Sequence, residues 1–163
     1  MKTISVAFGH AALALLWLAG PAAAAPPTLA SAEALVLAQY GPDADPTPEM
    51  AARLYVPEIA QELADPLRGA GVNLGLDPRY GQDDWRVDKV AAQAEQGPDG
   101  QALVKVTFLN FGKPAEVDWR LIPAPDGPMG WKVMDISAPE QNDWAAFDMR
   151  QLLNLPPRQP ASP

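Results

Sequence analysis

The chain contains no cysteine, and its single histidine, His10, lies inside an apolar stretch at the N-terminus. The first absence excludes disulfides, thiol nucleophiles and a lipid-bearing cysteine, so the fold must hold by packing alone. The second removes the only side chain that titrates unperturbed near neutrality. Together they exclude Ser-His-Asp and Cys-His catalysis and the usual zinc ligand sets. Acid–base chemistry would require a carboxylate, lysine or tyrosine with a shifted pKa. Calcium fares no better. Asp43, Asp45 and Thr47 have the spacing of a calcium loop's first ligands, but Pro48 stands where glycine is needed and Leu54 where glutamate is needed. The reading therefore calls for no metal, no cofactor and no catalytic residue. Basic residues are also scarce, 12 against 20 acidic ones, for a net charge of −8. Such a surface repels nucleic acid and anionic lipid and favours solubility or a basic partner.

What is present begins with an export signal. Met1-Lys2 precedes a mostly apolar run from Ile4 to Leu18, followed by Ala19-Gly20-Pro21-Ala22-Ala23-Ala24. A positive start, an apolar middle and an Ala22-x-Ala24 pattern are what a signal peptidase reads. The expectation is a signal peptide over 1–24, a periplasmic or secreted product, and no membrane insertion after cleavage. Residues 25–156 are then one domain of ordinary size, and 157–163 a disordered tail after Pro156-Pro157.

Proline and glycine divide the domain into segments. Helical spacing predicts a helix over 28–40, carrying Leu29, Ala32, Leu35, Val36 and Tyr40. Thr47 and Pro48 have cap and first-turn chemistry, and Pro57 interrupts, which predicts short helices near 48–55 and 57–64. Residues 66–84 are rich in glycine and proline without a period, a long and often functional kind of loop. From Val87 the period becomes two. Four strands are expected near 87–95, 102–110, 115–122 and 130–137, with turns at 97–100, 112–114 and 125–128. Connections this short require an antiparallel meander. A last helix is expected from about Asp143, with Trp144, Phe147, Leu152 and Leu155 on one stripe. The fold class is α+β: N-terminal helices on a curved four-stranded meander, with a C-terminal helix.

Leu76-Asp77-Pro78 … Gly81-Gln82-Asp83, the paired stretches 104–111 and 117–121, Gly130-Trp131-Lys132-Val133-Met134-Asp135-Ile136 and Phe147-Asp148-Met149-Arg150-Gln151-Leu152-Leu153 together resemble one bacterial exported family. That family is domain of unknown function 3828, with the cone-shaped nuclear transport factor 2-like fold. The resemblance covers most of the domain. It implies helices packed in the concavity of a bent sheet and a pocket at the open end of the cone, and it implies no activity.

Asp135 is the leading site candidate. It shares strand parity with Trp131 and Val133, and a register pairing Leu121 with Trp131 sets it opposite Val117, with Phe108 next. A register that keeps Val90 and Ala92 inside brings Asp88 to the end of that row. Two acids in an apolar concavity would mark a pocket. The competing role is structural, with Asp135 holding Arg150 or capping backbone N–H groups. Trp85, Trp119, Trp131 and Trp144 are candidates to line the same pocket, or plain core; Tyr40, Tyr55 and Tyr80 would donate hydrogen bonds there or pack half-buried. Ser137 and Lys132 form no dyad, because five residues along a strand is an odd step. Two function classes follow besides the preferred one, a non-catalytic domain binding a small amphipathic ligand or a protein partner. One is an isomerase-like enzyme using a buried Asp and Tyr. The other is an immunity-type inhibitor of a basic enzyme.

Overall fold

A computed structural model describes residues 26–41, 44, 47–65, 76–82, 84–141 and 144–157. The expected signal peptide, Asp43, Asp45, Asp83, Asp143, most of the 66–84 loop and the end of the tail lie outside the described residues. Helix α1 spans Leu29–Leu37 and continues as a 3-10 turn, Ala38–Tyr40. A reciprocal cap starts it: the Thr28 hydroxyl accepts from Ser31 N at 3.1 Å and Ser31 Oγ accepts from Thr28 N at 3.0 Å. Its buried face carries Ala32, Leu35 and Val36.

Helix α2 is Pro48–Leu54 and α3 is Pro57–Ala64, each with proline in the first turn. Thr47 caps α2 through Met50 N. Between the helices Tyr55 and Val56 are extended, as the residue before a proline tends to be. That break is put to use: Val56 N donates to Val133 O at 2.9 Å, so the joint between the helices covers part of the edge of the fourth strand.

The sheet has five antiparallel strands in sequential order: β1 Val87–Gln96, β2 Ala102–Asn110, β3 Lys113–Pro123, β4 Trp131–Ala138 and β5 Phe147–Asp148. The first four stand within two residues of the sequence expectation. The fifth replaces the start of the expected C-terminal helix. The 144/147 spacing reads as helical, yet Phe147 and Asp148 pair with Ala138 and Ser137 on the edge of β4. Only Met149–Leu152 is helical, as α4. It starts where Asp148 accepts from Gln151 N at 3.0 Å and ends where Asn154 adopts φ 57. The β2–β3 turn also lies one residue earlier than expected. It is the pair Phe111-Gly112, both with positive φ, which is the type I′ geometry that suits a two-residue hairpin.

One face of the sheet, called inner here, buries Val104, Val106, Phe108, Val117, Trp119, Leu121, Val133 and Ile136. α1 packs across β1 and β2 on this face. Ile59 of α3, with Met149 and Leu153 of the C-terminal segment, completes the same core.

Candidate functional site

Tyr40 is the pivot of the inner face. Its ring stands 5.5 Å from Tyr80, 6.0 Å from Phe108 and 6.2 Å from Trp119. The Tyr40 hydroxyl donates to Arg79 O at 2.7 Å and accepts from Trp119 Nε1 at 3.1 Å. Burial pushes the phenols of Tyr40 and Tyr55 well above their ordinary pKa, so both stay neutral. The segment 76–82 is braced by an internal ion pair, Arg79 Nη2 to Asp77 Oδ2 at 2.7 Å, and is tied to the chain beside this cluster where Arg79 Nη1 donates to Ala44 O at 2.9 Å. Trp85 stacks on the outer side of Tyr80 with centroids 4.3 Å apart and stays 44% exposed. Trp131 lies elsewhere, its Nε1 donating to Ser31 Oγ at 2.9 Å near the start of α1. Tyr80, Phe108 and Trp119 thus come together around Tyr40. They form a filled, hydrogen-bonded interior, with Trp85 as its lid and Trp131 apart.

The two carboxylates are not in that interior, which corrects the expected parity. Leu121 pairs with Val133, but Arg120 pairs with Asp135. Met134 is therefore an extra residue, a bulge, and everything beyond it turns over. Asp135 shares the outer face with Arg120 and not the inner face with Val117. β1 has a second bulge, where Asp88 pairs with Leu109 but Ala91 with Thr107. Lys89 takes φ 53 there, and Asp88 is turned outward and exposed. The Met134 bulge also places Lys132 and Ser137 on one face, against the odd-step expectation. Lys132 Nζ is held by Asp126 at 2.6 Å.

Two open recesses run over the outer face. One, of about 430 Å³, is lined by Gln93, Glu95, Leu103, Lys105, Asp118, Arg120, Asp135 and Ser137, together with Val104 and Trp119. The other, of about 440 Å³, is lined by Lys89, Thr107, Leu109, Pro114, Glu116, Pro139, Glu140 and Gln141, together with Phe108 and Ala115. Lys105 joins them, 3.1 Å from Glu116 and 3.9 Å from Asp118. Burial raises the Asp118 pKa and Lys105 opposes the shift. Among the described residues no group of three or more acidic side chains is arranged to hold a metal ion.

Asp135 itself is 5% exposed. Its Oδ1 accepts from Ile136 N at 2.9 Å, and the Arg150 main-chain N–H supports the same carboxyl. Burial, then the charge and hydrogen bond of Asp148, raise its pKa to about 6. The Arg150 guanidinium turns away to Glu58 at 3.3 Å and to Pro156 O at 3.2 Å. Sequence reasoning named backbone N–H groups as partners but missed Asp148. It also missed the Arg79 clamp. A signal for the bulges was present. Apolar residues three apart within strands, Val87 to Val90 and Val133 to Ile136, interrupt a period of two. Against known proteins, the chain matches no family model, no curated protein and no solved structure.

Proposed function

We propose that this chain is an exported, non-catalytic binding domain whose partner lies across the outer face of the sheet. The observation that carries the reading is the contrast between the two faces. Inside, the Trp119, Trp131 and Tyr40 polar atoms are all satisfied by the protein itself. Outside, two recesses of about 430 and 440 Å³ lie open and carry exposed charges. That volume suits a small amphipathic ligand, and its polar, charged lining suits a protein segment better. The acidic balance favours a basic partner, which also accommodates the immunity-type reading.

The cone-shaped nuclear transport factor 2-like arrangement and the kinship with domain of unknown function 3828 belong to the same proposal. α1 packed across one face of a bulged antiparallel sheet supports them. Periplasmic or secreted location rests on Ala22-x-Ala24. The isomerase-like reading loses support, because its base and its phenol must share a cavity. Asp135 and Tyr40 lie on opposite faces of the sheet.

A native mass spectrum of protein purified from the periplasm tests the proposal. We expect a retained ligand or partner that is lost when Lys105→Glu and Arg120→Glu are combined. A retained mass that survives both changes but disappears with Trp85→Ala would place binding at the aromatic cluster and overturn the reading.

A further inference from the structure

β1 forms one edge of the sheet, with β2 as its neighbour on the other side. Its 10 residues make a long edge, and a long edge presents a row of unpaired N–H and C=O groups. The direction of those groups can be read from one hydrogen bond. Ala94 N donates to Glu33 Oε2 of α1 at 3.4 Å, so Ala94 turns its main-chain groups away from β2. Along an antiparallel strand these groups alternate between the two edges, so Ala92, two residues earlier, points to the free edge as well. Among the described residues no other main chain pairs with them.

The middle of β1 reads Ala91-Ala92-Gln93-Ala94, without the proline or charge that commonly blunts an edge. A second backbone can approach closely there. The bulge at Lys89 lies towards one end of the strand, and from Ala91 to Gln96 the register with β2 is regular. The charges stand on either side of this small-residue stretch. Lys89 and Glu95 are exposed, and among the described residues neither makes an ion pair or a hydrogen bond through its side chain.

A strand that pairs with its own copy about a two-fold axis must match outward-pointing residues with outward-pointing residues. An axis at Ala92 does so, and sets Lys89 opposite the second copy's Glu95 and Glu95 opposite the second copy's Lys89. Asp88 then meets the neutral Gln96. The neighbouring registers put Gln93 or Gly97 opposite Lys89 and match no charges.

We propose that the protein self-associates edge to edge: β1 pairs antiparallel with β1 of a second copy about an axis at Ala92, fixed by two Lys89–Glu95 pairs. Ala94 N–H exchanges its long contact with Glu33 for a main-chain acceptor. Lys89 lines one outer recess and Glu95 the other, so the pairing sets unlike recesses of the two copies side by side. The inference does not rest on the binding proposal, because the partner is the protein itself and the main-chain contacts lie on the strand edge.

Sedimentation velocity of the full chain as exported, over a concentration series, tests it. A strand edge buries little surface, so the dimer should dissociate on dilution. Added salt should weaken it. Lys89→Glu turns both unlike pairs into like ones and should weaken association roughly tenfold or more. Lys89→Glu combined with Glu95→Lys restores the pairs and should recover it. Ala92→Pro removes an N–H that β1 does not use within one copy, so this variant should fold and stay monomeric. A wild type that is monomeric up to about 1 mM overturns the proposal. A dimer that survives both Lys89→Glu and Ala92→Pro overturns it too, since its interface lies elsewhere. If Ala92→Pro does not fold, the charge exchange decides: recovery in the double variant supports the pairing, and loss without recovery refutes it.

Discussion

Asp135 shows how one side chain sets a pH dependence. Its folded pKa lies above its unfolded value, so the folded chain binds the proton more tightly. The stabilisation is complete below the ordinary carboxyl value and is lost as pH rises through about 6. Denaturation of the wild type should therefore show stability falling between about pH 4 and pH 7, beyond any slope retained by Asp135→Asn. At about pH 7.5 Asp135→Asn should be the more stable of the two. Asp135→Ala strands the N–H groups of Ile136 and Arg150 and should cost about 1–3 kcal/mol at about pH 5, where the acid is protonated. Equal melting of all three proteins across this range would contradict the assignment. Tyr40 offers a second test without titration. Tyr40→Phe keeps the ring packing but leaves Trp119 Nε1 and Arg79 O unmatched, and equilibrium denaturation should show a loss of about 1–3 kcal/mol.

At the scale of elements, the two bulges decide which side chains face outward and which face the core. Lys89 pays for its bulge with a left-handed backbone that glycine adopts freely. Lys89→Gly should therefore leave stability unchanged or raise it by up to about 1 kcal/mol in urea denaturation. A clear loss would mean that the lysine side chain, not the backbone, holds the bulge. Gly81, at φ 72, is the opposite case: a Cβ there would meet the rings of Phe147 and Trp144 at 3.2 and 3.3 Å. Gly81→Ala should cost about 1–3 kcal/mol, through backbone strain and displacement of the C-terminal segment. The helices and four strands were legible because Thr47, Pro48, Pro57 and the turn glycines state their roles locally. Asp135 was misplaced because parity was carried across Met134 as if the strand were regular. The strand at Phe147 was not legible either, since its cause is the open edge of β4 and no local preference of residues 143–148.

For the whole molecule, the sequence made the absence of cysteine plain, and the acidic charge with it. The choice between the two sheet faces depended on long-range register and could not be read from local patterns. A chain without Cys, with its single histidine in the N-terminal apolar stretch and no acidic cluster among the described residues, should melt at the same temperature with chelator or with added zinc. Stabilisation that grows with metal concentration would reveal a carboxylate site. The central claim is that the interior is closed and binding belongs to the outer face. Amide and indole NMR spectra of the labelled protein, recorded while a partner retained from the periplasm is added, test it most directly. The account predicts shifts at Lys105, Asp118, Arg120 and Ser137, with the Trp119 and Trp131 indole N–H signals unmoved. Movement of the Trp119 indole with a silent outer face would contradict it.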